Sequence, residues 1–282
     1  MRIRLYLCYG MIRENVQSPF VFCAYCLGFL AALKGAYPYI RYADGTLINV
    51  FEPFIILCSE RNLVSWVLFG YFILMCKAPF INARSEQMLI RTSRRCWSDA
   101  TVLSIFVQSV GYYLFILIVT IIMAVSNGFM ANEWSNLLYS LSEFGSGVEK
   151  QMGLYIPNVS LLQTWTVYQA LIHSFCLSLL YSMFLALILF TINLAVHRLV
   201  GSVIAIGVHF IGYVLISDAM LGYTEFSLLA HGILNMHRQV GSIGPELFTS
   251  YILFLVLIVI LLVVEHVVIS FCDLKHSIDE RA

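Results

Sequence analysis

Few residues in this 282-residue chain have the types and spacing to do chemistry. Seven histidines stand at positions 173, 197, 209, 231, 237, 266 and 276, and no two are four residues apart. The HExxH zinc arrangement, which needs two imidazoles on one helix face, is therefore absent. His231 and His237 flank a turn and are close enough along the chain to meet in space, the one pairing that suggests a metal. No GxSxG nucleophile elbow occurs. The Gly-rich "FGSGVEK" follows no strand and has the wrong glycine spacing for a nucleotide cradle. The expectation is that the chain has no metal site, that pair notwithstanding, and no ATP site or catalytic site of its own. Glu265 (beside His266) and Asp218 lie within apolar runs, where a carboxylate is costly and is by default a functional candidate. The competing reading is that each is near enough to an interface to snorkel or pair. Cys23 and Cys26 form a CxxC without the strand–turn context of a redox motif, so they are expected to pack between helices.

The densest charge is in "INARSEQMLIRTSRRCWSDA" (81–100), which holds Arg84, Arg91, Arg94 and Arg95 between long apolar stretches. The chain as a whole is 60% hydrophobic and 11% charged, with a mean hydropathy of +0.86. A soluble domain carries about 25% charged residues, so composition alone points to a membrane protein. Runs longer than ~18 apolar residues are long enough to cross ~30 Å of hydrocarbon as helices. We place six spans, at about 18–40, 60–81, 101–125, 163–196, 199–221 and 248–271. The expected fold class is an all-α polytopic membrane protein, with residues 1–282 forming a single transmembrane domain. The basic start followed by an apolar run reads as a first span, not a cleaved leader.

The distribution of Lys and Arg gives an orientation. With the amino terminus inside, eleven basic residues fall in inner segments (Arg2, Arg4, Arg13, Lys77, Arg84, Arg91, Arg94, Arg95, Arg198, Lys275 and Arg281) and five in outer ones. Both termini are then cytoplasmic. Residues 41–59 contain "VFEPFIILC", the length of a short interfacial or re-entrant piece. Residues 126–162 form the largest outer loop, and 222–247 read as a semi-polar broken helix. His173 and His209 sit on apolar helices and are expected to be hydrogen-bonded packing residues. Asn193 and the serines of the middle spans should bond between helices, at about 0.6–2 kcal/mol each.

Placed on a helix at ~100° per residue, Arg84, Arg91 and Arg95 fall within about 40° of one another. Ile90 and Trp97 share another face with Ser93 and Glu86. This is the pattern of a short amphipathic helix on the cytoplasmic surface, with Trp97 at the headgroups. A plain loop whose arginines obey the positive-inside rule and touch anionic lipid has the same spacing.

The stretch "KAPFINARSEQMLIRTSRRCWSDATVLSIFVQSVGYYLFILI" resembles the end of span two, the coupling helix and span three of permease subunits in the type-2 exporter superfamily of ABC transporters. "LLYSMFLALILFTINLAVHRLVGSVIAIG" resembles their fourth-to-fifth span junction, with Asn193 and Gly201 near the inner turn. The segment before span one is about 17 residues, so their long amphipathic gate helix would be present only in shortened form. The resemblance implies a permease that binds two ATP-binding subunits through Arg84, Glu86, Arg91, Arg94, Arg95 and Trp97. It also implies a second permease chain, alike or related, with ATP and Mg held by the partner subunits and membrane lipid around the pair. No nucleic acid is expected. The expected location is a bacterial plasma membrane, as a multi-pass protein, and the expected cargo is amphipathic, peptide or lipid-like. Two other readings stay open: a transporter or assembly factor without an ATPase, and an intramembrane enzyme.

Overall fold

Eleven α-helices make up most of the backbone described by the computed structural model, which covers residues 2–78, 92–144, 153–196, 200–238 and 244–271, without the side chains of Arg2 and 218–221. They are α1 (Arg2–Val16), α2 (Pro19–Tyr42), α3 (Glu52–Ser59), α4 (Arg61–Met75), α5 (Arg94–Ala124) and α6 (Asn136–Phe144). Then follow α7 (Val159–Thr164), α8 (Val167–Ala195), α9 (Val200–Leu215), α10 (Leu228–Gly232) and α11 (Leu247–Phe271). Local chemistry sets several starts. Pro19 opens α2 at a position where its missing N–H is not needed. Glu60 caps α4 by accepting from Asn62 N–H, and Ser93 caps α5 by accepting from Cys96 N–H. Thr166 and Gln169 form a capping box at the start of α8.

Among the described residues, four helices are long and apolar enough to cross a membrane: α2, α5 with its 3₁₀ extension to Asn127, α8 and α11. The expected second and fifth spans are shorter, at 15 residues in α4 and 16 in α9. At ~1.5 Å per residue each is about 22–24 Å long. Residues 76–78 turn out of α4, and Ser217 ends α9 before a 3₁₀ segment, Asp218–Phe226. The third span starts earlier than expected, at Arg94, because Ser93 supplies the cap.

α8 is the central helix and is buried on most of its circumference, as a helix apolar all round should be. Beside it, α11 turns one stripe inward (Ser250, Phe254, Ile258, Glu265, Ile269) and leaves the rest apolar and exposed. On α2, Ala24, Gly28, Ala32 and Ala36 recur every four residues along the buried face, a small-residue ridge that allows close backbone approach. There Tyr112 lies against Gly28 and Gly70 and donates to Val67 O at 2.9 Å.

α1 runs beside the first half of α5. Arg4 pairs with Asp99 at 2.9 Å, Thr101 Oγ1 lies 3.7 Å from Met11 Sδ, and Asn15 donates to Gln108. Its Leu7, Cys8 and Met11 are buried, while Ile3, Leu5, Tyr6 and Tyr9 are exposed.

At the opposite end of the bundle, residues 48–49 and 128–129 pair as a minimal parallel sheet, Ile48 with Gly128 and Asn49 with Phe129. The segment expected to be interfacial or re-entrant is α3, and all eight of its residues are buried. The expected broken helix is a 3₁₀ segment, then α10, then a second 3₁₀ turn, Leu234–Met236. Cys23 and Cys26 lie on the exposed face of α2, not between helices, and both are free thiols.

Candidate functional site

The start of α5 and the carboxylate of α11 fall at the same end of the bundle. Arg94 and Arg95 are exposed in the first turn of α5. Arg84, Glu86 and Arg91 lie outside the described residues. Trp97 departs from expectation. It is fully buried, with its ring 6.4 Å from that of Phe190, because helix formation from Arg94 places it on the inner face of α5 and not among headgroups. Its indole N–H has no hydrogen-bond partner among the described residues. Of the residues expected to meet a partner, the exposed ones among the described residues are thus the two arginines.

Close by, α8 hands over to α9. Asn193 Nδ2 donates to Ala78 O at 3.0 Å, and Gly201 N–H donates to Asn193 Oδ1 at 2.9 Å. One amide thereby ties the ends of α4 and α8 and the start of α9. A Cβ on Gly201 would lie 2.3 Å from Leu189 O, so the position requires glycine.

Glu265 lies on the inward stripe of α11 and is 3% exposed, and its Oε1 has no hydrogen-bond partner among the described residues. It lines an open, largely apolar cavity of about 750 Å³ between α1, α5, α8 and α11, together with Arg4, Asp99, Phe106, Met183 and Leu262. Asp218 falls in the 3₁₀ segment after α9, and its side chain is outside the described set.

The other end holds two polar centres. Glu52 is 0% exposed and accepts four hydrogen bonds. They come from Tyr39 Oη (2.7 Å), Asn49 N–H (3.1 Å), Ser135 N–H (2.6 Å) and Ser135 Oγ (2.9 Å). Asn49 Nδ2 extends the set to the carbonyls of Ala131 (2.6 Å) and Glu133 (3.0 Å). Burial raises the Glu52 carboxyl above the ordinary range, and the donors pull it back. The sequence reading passed over this residue. Its only local signal is an acid followed by proline at the head of an apolar run.

His231 and His237 do meet, but around a hydroxyl. Ser250 Oγ lies 2.7 Å from His231 Nδ1 and 2.8 Å from His237 Nε2. The outer ring nitrogens face carbonyls, His231 Nε2 at 3.0 Å from Glu225 O and His237 Nδ1 at 2.9 Å from Ile233 O. A ring nitrogen must carry the proton to bond a carbonyl, so both inner nitrogens are acceptors when the rings are neutral. The single Ser250 proton is shared between these two nitrogens and the Glu246 carbonyl, 3.1 Å away. Among the described residues, no group of three or more His, Cys, Asp or Glu is arranged to hold a metal ion. His173 bonds Tyr251 Oη at 2.9 Å, and His209 sits between Tyr181 Oη and Ser65 Oγ, both at 3.0 Å. These two are hydrogen-bonded packing residues.

Burial holds His231 below the usual histidine range and lowers His237 to about 4. The folded state therefore favours the neutral rings. That contribution is complete above the unfolded value of about 6.5 and is lost as pH falls toward about 4. Thermal unfolding in detergent should show a midpoint that is flat above pH 7 and falls between pH 6.5 and 4. His237→Gln should flatten the fall, and an unchanged slope in that variant would assign it to other groups.

Comparison with family models, with curated proteins and with solved structures finds no match for this chain.

Proposed function

We propose that the chain is the membrane-spanning permease subunit of an ATP-driven ABC exporter of the type-2 superfamily, moving an amphipathic, peptide or lipid-like cargo. The observation that carries this reading is the make-up of one end of the bundle. There, Arg94 and Arg95 are exposed at the foot of α5, immediately after the segment that resembles a coupling helix. A short separate helix, α1, precedes the first span in the place of a gate helix, and Asn193 holds Gly201 at the α8–α9 junction. The broken segment before α11, largely buried from Ser227 to Leu234, agrees with the same plan.

In this reading α2, α4, α5, α8, α9 and α11 are six spans, with both termini cytoplasmic in a bacterial plasma membrane. Two permease chains, identical or related, pair and bind two ATP-binding subunits. Residues 82–95 enter a cleft on each ATPase, with Arg84, Glu86, Arg91, Arg94 and Arg95 supplying charge complementarity and register, while Trp97, buried against Phe190, anchors the segment to the bundle. Closure of the ATPase pair then shifts α2, α4 and α9 and switches the path from inward- to outward-facing. ATP and Mg stay on the partners, where hydrolysis takes place.

The test is purification of the tagged chain from its native host in mild detergent, beside an Arg91→Ala, Arg94→Ala, Arg95→Ala triple variant. An ATP-binding subunit should accompany the wild type and fall at least about tenfold in the variant, the loss expected when close charge pairs across an interface are removed. If no ATPase is captured even after cross-linking, the reading fails and the arginines are topology signals.

A further inference from the structure

We infer that the cavity between α1, α5, α8 and α11 binds a cationic amphiphile, an apolar chain bearing an ammonium-type head, with Glu265 as the carboxylate that receives the charge. The inference is independent of whether an ATPase drives the chain.

The charge count in the cavity leads to this class of ligand. Three side chains with formal charge line it: Arg4, Asp99 and Glu265. Arg4 and Asp99 neutralise each other at 2.9 Å, which leaves Glu265 over. His266 is the remaining titratable group in the wall. Among the described residues Glu265 has no salt-bridge partner, and its Oε1 has no hydrogen bond, although the residue is 97% buried by the 3% exposure it retains.

An ionised carboxylate in that position is strongly unfavourable unless a cation joins it, and a neutral one still leaves a polar atom unsatisfied. The helix does not place it there by default. Glu265 continues the buried stripe Ser250, Phe254, Ile258 and Ile269, while its neighbours Val264 and Val263, the latter also in the cavity wall, are exposed. The acid is therefore turned into the bundle, where snorkelling is blocked.

The remaining walls define the rest of the ligand. Val102, Leu103, Phe106, Met183, Val259 and Leu262 present an apolar surface. Met183 adds an adaptable side chain that accommodates varied apolar shapes. A cavity of about 750 Å³ lies within the ~300–1,000 Å³ range of small-molecule sites. An anionic amphiphile would meet the surplus carboxylate, and a neutral one would leave Glu265 unpaired, so the charge selects the cation.

The test measures binding of radiolabelled dodecyltrimethylammonium to the full chain in lipid nanodiscs, with empty nanodiscs subtracted. The permanent charge of this probe removes its own titration from the result. Wild type should show saturable binding that dodecanol and dodecyl sulfate compete for at least about tenfold more weakly. Glu265→Gln should weaken the ammonium probe about tenfold or more, the difference expected when an ion pair at a partly buried site is removed. Met183→Trp keeps the carboxylate and puts a bulkier, rigid ring into the apolar wall, and should weaken binding severalfold. Wild type that takes the sulfate as well as the ammonium, or that shows no saturable ammonium binding, overturns the inference. So does unchanged binding in Glu265→Gln. Should Glu265→Gln not fold, unchanged binding in Met183→Trp has the same force.

Discussion

Glu52→Ala should prevent stable folding, or lower stability by about 3–6 kcal/mol, the largest effect expected from one substitution in this chain. The carboxylate receives four hydrogen bonds from three separate segments: the end of α2, the strand at 48–49 and Ser135. Removing it leaves the Tyr39 O–H and the Asn49 and Ser135 N–H groups buried without acceptors, at about 1–3 kcal/mol each. Two further variants separate the terms. Glu52→Gln preserves volume and one acceptor oxygen but turns an NH₂ toward donors, and should lose about half as much. Tyr39→Phe removes one donor of the set, together with its 3.2 Å contact to Ser135 Oγ, and should lose about 1 kcal/mol. Chemical unfolding in detergent, followed by intrinsic fluorescence, measures all three. A Glu52→Ala protein as stable as wild type would mean that Glu52 does not hold these segments together.

Gly201→Val should be nearly as disruptive, at about 3 kcal/mol or more. The first added carbon alone would stand 2.3 Å from Leu189 O and 2.6 Å from Asn193 Oδ1. The former is backbone inside α8 and cannot rotate away, so α9 must move off α8. That movement stretches the Gly201 N–H to Asn193 bond of 2.9 Å and loosens the Asn193 bond to Ala78 O. Overpacking in a dense interior costs about 1–3 kcal/mol, and the lost amide bonds add about 0.6–2 kcal/mol each. Asn193→Ala removes the bonds without the clash and should recover most of the stability. If Gly201→Val unfolds at the wild-type denaturant concentration, the close approach of α8 and α9 is not required.

Residues that share an element, or an adjoining one, were readable from the chain. The resemblance picked out Asn193 and Gly201, which are eight residues apart across one short junction, and they are bonded to each other. The small-residue ridge on α2 is also written locally, as Ala24, Gly28, Ala32 and Ala36. Periodicity misplaced Trp97 because it continued a surface helix through Ser93, where capping starts a new one. Glu52 escaped notice because its partner Ser135 is 83 positions away. Likewise, nothing local aims His231 and His237 at Ser250.

By itself, the sequence determined the helical class and the placing of the long apolar helices, with ends that mostly agree within about four residues. Run length against hydrocarbon thickness is a property of consecutive residues. Only the tertiary structure decided which polar side chains are buried, which of them are satisfied and that Glu265 is not. Those outcomes depend on where distant segments stop against one another. An isolated helix has no way to encode that a carboxylate on its inner face will find four donors, as Glu52 does, or none for one of its oxygens, as Glu265 does.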